Sequence, residues 1–434
     1  MAVAAKPECS PLDLWIGKKI GVLPLTKAAV SAYQWQKIQR LYEYVCAHSK
    51  FYGKFYGEKR PKTLQDWQQF QALPLLDATL LQEFGKQMIC VEQEQIHRIV
   101  TLQTSGTTQK PKRVYFSLAD QELTIDFFAH GMPTLTKPGD VVMILLPVAR
   151  EGSVGDLLAK GLERFGAKPY RYGLPQDFFA AAKAMASANT KVVVANPVQL
   201  LLIGYCYQAL VEQGLLPADA IRLRSILLST DYVAQSLADR LQALFGCPVY
   251  EHYGMTEMGL GGAVSCQALA GYHIRENDLY LEVIDPQTGQ VLPDGVFGEV
   301  VFTTLTRTAM PLLRYRTGDW GRILAEPCPC GSVLRRLDRI QYRIGPRPLK
   351  ITDFDECFFR LPGVLCYEAA VDEQGKTILF TVYYLQLAVA GAEAALRQAL
   401  QPYCQGYQIL FDWRQQVPQG GEVLQKRAIQ YQQI

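Results

Sequence analysis

The chain has 434 residues, 49% hydrophobic and 20% charged, with 44 Lys and Arg against 41 Asp and Glu for a formal net charge of +3. That length exceeds what one hydrophobic core usually supports, so two or more domains are expected. The composition excludes a disordered chain, and so small a charge excess excludes a nucleic-acid footprint spread over the surface, leaving any anionic ligand to be held locally. Met1 to Leu14 has no basic region followed by an apolar run, and no later segment supplies the roughly 20 uninterrupted apolar residues of a membrane helix. The expectation is a cytoplasmic protein with neither membrane nor nucleic acid as partner, and with a homodimer left open. Eleven cysteines in a long chain without a leader read as free thiols or metal ligands rather than as a disulfide framework.

From Ala28 to Tyr52, Tyr33, Trp35, Ile38, Leu41, Tyr42 and Val45 recur at helical spacing, which predicts an amphipathic helix packed by one face. Short apolar runs then alternate with helical stretches: Val141 to Leu146, Val154 to Phe165, Val192 to Ala195, Val198 to Glu212, Ile226 to Leu228. That alternation is the α/β signature. After Leu279 the pattern becomes strand-like (Leu279 to Ile284, Gly298 to Thr304), punctuated by Pro-Gln-Thr-Gly and Pro-Asp-Gly turns. The expected fold is α/β: a large N-terminal domain of αβ layers over 1–343, with a β-rich subdomain at about 279–343, and a small C-terminal α+β lid over 344–434. The boundary is placed at Ile344-Gly345-Pro346-Arg347-Pro348, whose prolines can continue neither a helix nor a central strand. The lid is read from a strand at Thr377 to Tyr384 and a helix at Ala390 to Ala399.

Thr104-Ser105-Gly106-Thr107-Thr108-Gln109-Lys110-Pro111-Lys112 follows a β-prone stretch at Ile99 to Leu102. Hydroxyls, a permissive glycine and two lysines suit a polyphosphate, with Lys112 as the mobile charge. The same residues also suit an ordinary polar turn. The P-loop pattern is absent.

Two further segments, Tyr253-Gly254-Met255-Thr256-Glu257 and Tyr315-Arg316-Thr317-Gly318-Asp319, stand in the order and at the distance that make the set resemble the AMP-binding (acyl-adenylate-forming) superfamily. The Cys-Pro-Cys-Gly element and Arg339-Ile340-Gln341-Tyr342-Arg343 make it look more like the branch of phenylacetate–CoA ligases and coenzyme F390 synthetases. The resemblance implies ATP-dependent activation of a small, aromatic or compact carboxylic acid to an acyl-adenylate, followed by thioester formation with CoA. Adenylation without CoA transfer, and a weakened nucleotide-binding homologue, are the alternatives. It also implies roles. Glu257 holds Mg²⁺, Thr256 bonds the α-phosphate, Asp319 takes the ribose hydroxyls, Tyr253 and Gly254 border the adenine, and Arg343 reaches ribose or phosphate from the domain junction.

Cys266, His273, Cys328 and Cys330 could close a tetrahedral site for a structural Zn²⁺, as that branch often does at matching positions. Otherwise Cys266 is a buried apolar residue and the other two cysteines belong to a proline-rich turn. The remaining cysteines have no ligand spacing. Three departures from the family pattern stand out. Gln109 replaces a usual glycine, the hinge carries two prolines, and Val423 or Leu424 occupies the place of the usual C-terminal lysine, with Lys426 nearby.

Overall fold

A computed structural model describes residues 10–58, 60–102, 111–386, 388–418 and 427–433. It is an α/β protein made of two compact units, one of Met1–Thr134, Lys160–Phe165 and His252–Ile344, the other of Leu135–Ala159, Gly166–Glu251 and Gly345–Ile434. The chain passes from the first unit to the second between Ile344 and Gly345. Residues 345–434 do not stand alone, because they share a core with the parallel sheet of the second unit.

In the first unit, Leu279–Ile284, Gly298–Thr304, Tyr315–Gly321 and Tyr342–Arg343 form an antiparallel sheet. Arg98–Leu102 and Lys112–Phe116 pair antiparallel, with Leu102 opposite Lys112 at one end of the register. The N-terminal helices Pro11–Ile20 and Lys27–His48 belong here as well. The second is shorter than the predicted Ala28 to Tyr52. Ser49 breaks it, since its backbone is extended and its Oγ donates to Gln87 O at 2.8 Å and accepts the Phe51 amide at 3.2 Å. A serine that bonds the backbone locally competes with the helical ladder.

Helix Pro11–Ile20 is tied to helix Leu118–Gly131 through one carboxylate. Asp126 accepts from Trp15 Nε1 at 3.2 Å, pairs with Lys19 Nζ at 2.7 Å and lies 3.2 Å from His130 Nδ1, while the Trp15 and His130 rings stack.

In the second unit, Lys168–Tyr170, Val141–Ile144, Val192–Ala195, Ser225–Leu228 and the start of Val249–Tyr253 lie side by side in parallel. The inner strands Val141–Ile144, Val192–Ala195 and, from Ile226, Ser225–Leu228 are continuous apolar runs because both faces of such a sheet are covered. Helix Pro197–Glu212 packs on strand Val364–Asp372, so Val198, Leu201 and Ile203 share one apolar core with Phe354, Phe358, Val364 and Phe380. Strands Gln408–Gln415, Thr377–Tyr384, Val364–Asp372 and Gln430–Tyr431 make the C-terminal mixed sheet, covered by Ile351–Phe358 and by Val389–Leu400, close to the predicted 390–399.

Polar links fasten these residues together. Helix Gln235–Phe245 has no cap from its own sequence, and the Glu356 carboxylate accepts its first amides, Gln235 N at 2.7 Å and Ser236 N at 3.2 Å. Arg427 sits part-buried between two carboxylates, with Nε 2.9 Å from Asp231 and Nη1 and Nη2 at 2.5 and 2.9 Å from Asp355, which also accepts the Tyr367 hydroxyl at 2.7 Å. No helix among the described residues is long and apolar enough to cross a membrane.

Two predictions follow from these links. Arg427→Met strands Asp355 without a counter-charge, which costs about 3–5 kcal/mol for a broken buried pair; the urea midpoint should fall accordingly, and adding Asp355→Asn should recover part of the loss. The Asp126 carboxylate raises the His130 imidazole above its usual value against the opposing effect of burial, so the stability gained is complete below about pH 6.5 and is lost as pH rises through the higher folded value. The melting-temperature gap between the native protein and His130→Gln should therefore be widest near about pH 6 and close in alkaline buffer.

Candidate active site

The segment carrying Asp319 is built on a bulge. Across strands Gly298–Thr304 and Tyr315–Gly321, Val301 lies opposite Arg316 and Glu299 opposite Trp320, so Thr317, Gly318 and Asp319 together face the single residue Val300. Gly318 takes a left-handed φ of 76°, which the glycine in this motif supplies without strain. Its amide donates to Glu299 Oε1 at 3.1 Å, and Glu299 Oε2 holds Arg316 Nε at 2.8 Å. Thr317 Oγ1 donates to Val300 O at 2.7 Å and accepts from Asp319 N at 3.0 Å. The bulge thus takes Asp319 out of register with strand Gly298–Thr304 and leaves it opposite Arg343 of strand Tyr342–Arg343.

Two predicted residues meet that carboxylate. Tyr253 donates its hydroxyl to Asp319 Oδ2 at 2.9 Å. Burial, reinforced by the Asp319 charge, pushes the phenol pKa well above its usual value, so Tyr253 stays a donor. Arg343 is the ladder partner of Asp319, with Nε 3.1 Å from Oδ1 and Nη2 donating to Thr317 O at 2.8 Å.

Glu257 lies in the single turn Thr256–Met258. Its Oε1 is 2.6 Å from Lys112 Nζ, with the two side chains only 3% and 16% exposed, and the Tyr315 hydroxyl approaches the same oxygen at 3.5 Å. Thr256 is half-buried at the start of the turn. Gly254 precedes it in a close backbone approach: a Cβ there would stand 2.1 Å from Leu260 O and 2.8 Å from the His252 ring. Thr104, Ser105, Gly106, Thr107 and Thr108 lie outside the described residues, as do Gln109, Val423, Leu424 and Lys426. Of that loop and its rim, Lys112 is described, and its ammonium rests on Glu257.

Arg307 was not legible as a site residue. It sits in the link between strands Gly298–Thr304 and Tyr315–Gly321, buried, with Nη1 donating to Glu257 O and Nη2 to Tyr115 O, each at 2.8 Å, and its guanidinium 4.2 Å from the Phe116 ring centroid. The one available signal is an arginine in a run otherwise leading into Ala309, Met310, Pro311, Leu312 and Leu313, which are buried.

The four cysteine and histidine residues converge. One ligand atom of each of Cys266, His273, Cys328 and Cys330 falls within 4.8 Å of all the others. Cys266 Sγ and Cys328 Sγ are 3.6 Å apart, and Cys330 Sγ is 3.3 Å from His273 Nε2. Tetrahedral zinc with bonds of about 2.3 Å to sulfur and 2.0–2.1 Å to nitrogen places neighbouring ligand atoms about 3.5–3.8 Å apart, so the donor set fits such an ion. Burial pulls His273 down to about 4 and pushes Cys330 up to about 12. The ring is therefore a neutral donor, and the Cys330 thiol needs a cation to ionise.

Residues 58–305 match the family described as AMP-binding enzyme. With the bulged Asp319 segment and the Lys112–Glu257 pair in one unit, the chain belongs to that adenylate-forming family. Within it, the chain belongs to the phenylacetate–CoA ligase-like branch. It is 28% identical over 334 residues to a phenylacetate–coenzyme A ligase of Thermus thermophilus, covering 74% of this chain and 70% of the relative. Against the Aromatoleum evansii enzyme of the same name it is 29% identical over 341 residues, covering 77% and 74%. In fold it is similar to 2-hydroxyisobutyryl-CoA ligase crystallised in the postadenylation state with 2-HIB-AMP, with a TM-score of 0.77 at 21% identity over 90% of this chain and 86% of that one.

The close approach at Gly254 makes a prediction. Gly254→Ala forces the turn bearing Glu257 to shift, at a cost of about 1–3 kcal/mol for overpacking; the melting temperature should fall, and ATP-dependent activity should fall further than the loss of folded protein accounts for.

Proposed function

We propose that this enzyme condenses a small carboxylic acid, aromatic by analogy with the phenylacetate–CoA ligases it is similar to, with ATP to give an acyl-adenylate and pyrophosphate, and then transfers the acyl group to CoA. The observation that carries this reading is the pairing of two devices in one unit. Lys112 and Glu257 meet at 2.6 Å, and Asp319 is held between Tyr253 and Arg343.

Acid and ATP are both anions, so the chain must align the carboxylate with the α-phosphorus and offset charge on the leaving pyrophosphate. Positioning and preorganised electrostatics do this work. Glu257 is the carboxylate that would hold Mg²⁺, and the ion would supply charge neutralisation on the phosphates. The Lys112 ammonium, resting on Glu257, is the group placed to bond phosphate oxygens. Thr256 donates its hydroxyl to the α-phosphate, and Thr104, Ser105, Gly106, Thr107 and Thr108 surround the outer phosphates. Asp319 exchanges Arg343 for the ribose hydroxyls, and Tyr253 and Gly254 line the adenine side. Arg343, once displaced, turns to ribose or phosphate.

Cys266, His273, Cys328 and Cys330 bind a structural Zn²⁺ that pins their loops, with all four coordination positions filled by protein. The described cysteines form no disulfide, which suits the reducing cytoplasm.

The test is pyrophosphate release by the purified protein with Mg-ATP and a panel of aromatic and short aliphatic acids, with and without CoA. Acid-dependent release and CoA consumption are expected, with Glu257→Gln lower by on the order of 10²-fold, the usual size of one lost preorganised contact. Release that ignores CoA would replace the ligase by an adenylating enzyme with another acceptor, and ATP binding without any release would leave only a nucleotide-binding protein. Metal analysis of the same preparation should find stoichiometric zinc, lost in Cys328→Ser.

A further inference from the structure

We propose that Arg307 is a positioning residue for the magnesium and phosphate chemistry, acting through the main chain of Glu257 and through the strand that carries Lys112. The inference rests on the reading of Glu257 as the metal-holding carboxylate. The guanidinium forks: Nη1 donates to Glu257 O and Nη2 to Tyr115 O, both at 2.8 Å. Tyr115 belongs to strand Lys112–Phe116, so one rigid planar group spaces the Glu257 backbone against the strand bearing its partner ammonium. The Phe116 ring supports the guanidinium at 4.2 Å.

The arginine is itself fixed from behind. Asp120 Oδ1 accepts from Thr308 N at 2.8 Å and from Thr308 Oγ1 at 3.2 Å, and Oδ2 accepts from Ala309 N at 3.1 Å. Asp120 in turn belongs to the capping box of helix Leu118–Gly131, with Ser117. The link carrying Arg307 is therefore anchored at the residues that follow it. Burying a cation among carbonyls is costly, and only 5% of Arg307 is exposed. Both carbonyls it serves lead to the Lys112–Glu257 pair, whose separation decides whether Glu257 can turn from an ammonium to a metal ion. Arg307 touches neither carboxylate nor ammonium, so its effect is on how tightly metal is held and not on the acid or base chemistry.

The experiment measures the Mg²⁺ concentration that half-saturates acid-dependent pyrophosphate release, at saturating ATP, together with maximal rate and melting temperature. Arg307→Lys keeps the buried charge but cannot span two carbonyls, and Phe116→Leu keeps the arginine but removes its support. Arg307→Lys should raise the half-saturating Mg²⁺ about 10-fold, the lower end of the effect of losing one charge-assisted hydrogen bond, with maximal rate at high Mg²⁺ within about threefold of native; Phe116→Leu should shift it in the same direction by less. Glu257→Gln is the control for the underlying reading and should raise the Mg²⁺ requirement by itself. If it does and both other variants stay within about twofold of native, the role of Arg307 is overturned while Glu257 stands. If Glu257→Gln leaves the Mg²⁺ requirement unchanged, the reading of Glu257 fails and this inference falls with it. A lower melting temperature with an unchanged Mg²⁺ requirement would mark Arg307 as structural only.

Discussion

The contact between Lys112 and Glu257 sets the terms for the first unit. An ammonium and a carboxylate taken out of water lose several kcal/mol of hydration each, and their attraction restores this only where further hydrogen bonds complete the geometry. Much of the surrounding structure supplies that completion. Tyr315 approaches the same carboxylate oxygen, Arg307 takes the main-chain carbonyl of Glu257, and the glycine at 254 lets the turn fold against Leu260 without a side chain in the way. The pair is consequently held in place by groups outside itself, as the proposed role of Glu257 and Lys112 toward metal and phosphate calls for.

How far this was readable from residues alone varied with the range of the interactions. Asp319 was singled out by the resemblance of its Tyr-Arg-Thr-Gly-Asp run to a family motif; the physical cause, a glycine where the bulge needs a left-handed φ, came only with the structure. That Arg343 would pair with Asp319 needed the strand register, which joins residues 24 positions apart through a two-residue strand too short to show periodicity. Arg307 had no motif to mark it, because its partners are main-chain carbonyls, and a carbonyl acceptor has no side-chain identity. The four cysteine and histidine residues singled out in the sequence do come together, yet their convergence depends on strand Arg336–Leu337 bringing Arg336 opposite His273. Ser49 shows the reverse case, where a continuous helical apolar pattern was interrupted by one hydroxyl that preferred its neighbours' backbone.

The C-terminal residues teach a related lesson. Read as sequence, 344–434 had the size and element content of a separate lid, and its strand and helix were found at nearly the right positions. What could not be read was the other side of its apolar surface. Phe354, Phe358 and Val364 bury against helix Pro197–Glu212, and Glu356 supplies the helix cap that Ala234 cannot. Arg427, close to the segment whose lysine departs from the family pattern, is committed to Asp231 and Asp355. A residue that looks basic and available in sequence is a neutralised internal strut in the fold.

Asp13 gives the beginning of the chain a long reach. Its carboxylate, buried in helix Pro11–Ile20, accepts the amide of Val333 at 3.1 Å, just beyond the turn that carries Cys328 and Cys330. Helix Pro11–Ile20 and the cysteine turn therefore share one fastening, and opening either exposes the other, as local unfolding proceeds in contiguous units. Susceptibility of the N-terminal helix to a protease becomes a gauge of whether the four sulfur and nitrogen donors are still gathered, readable without touching the nucleotide site.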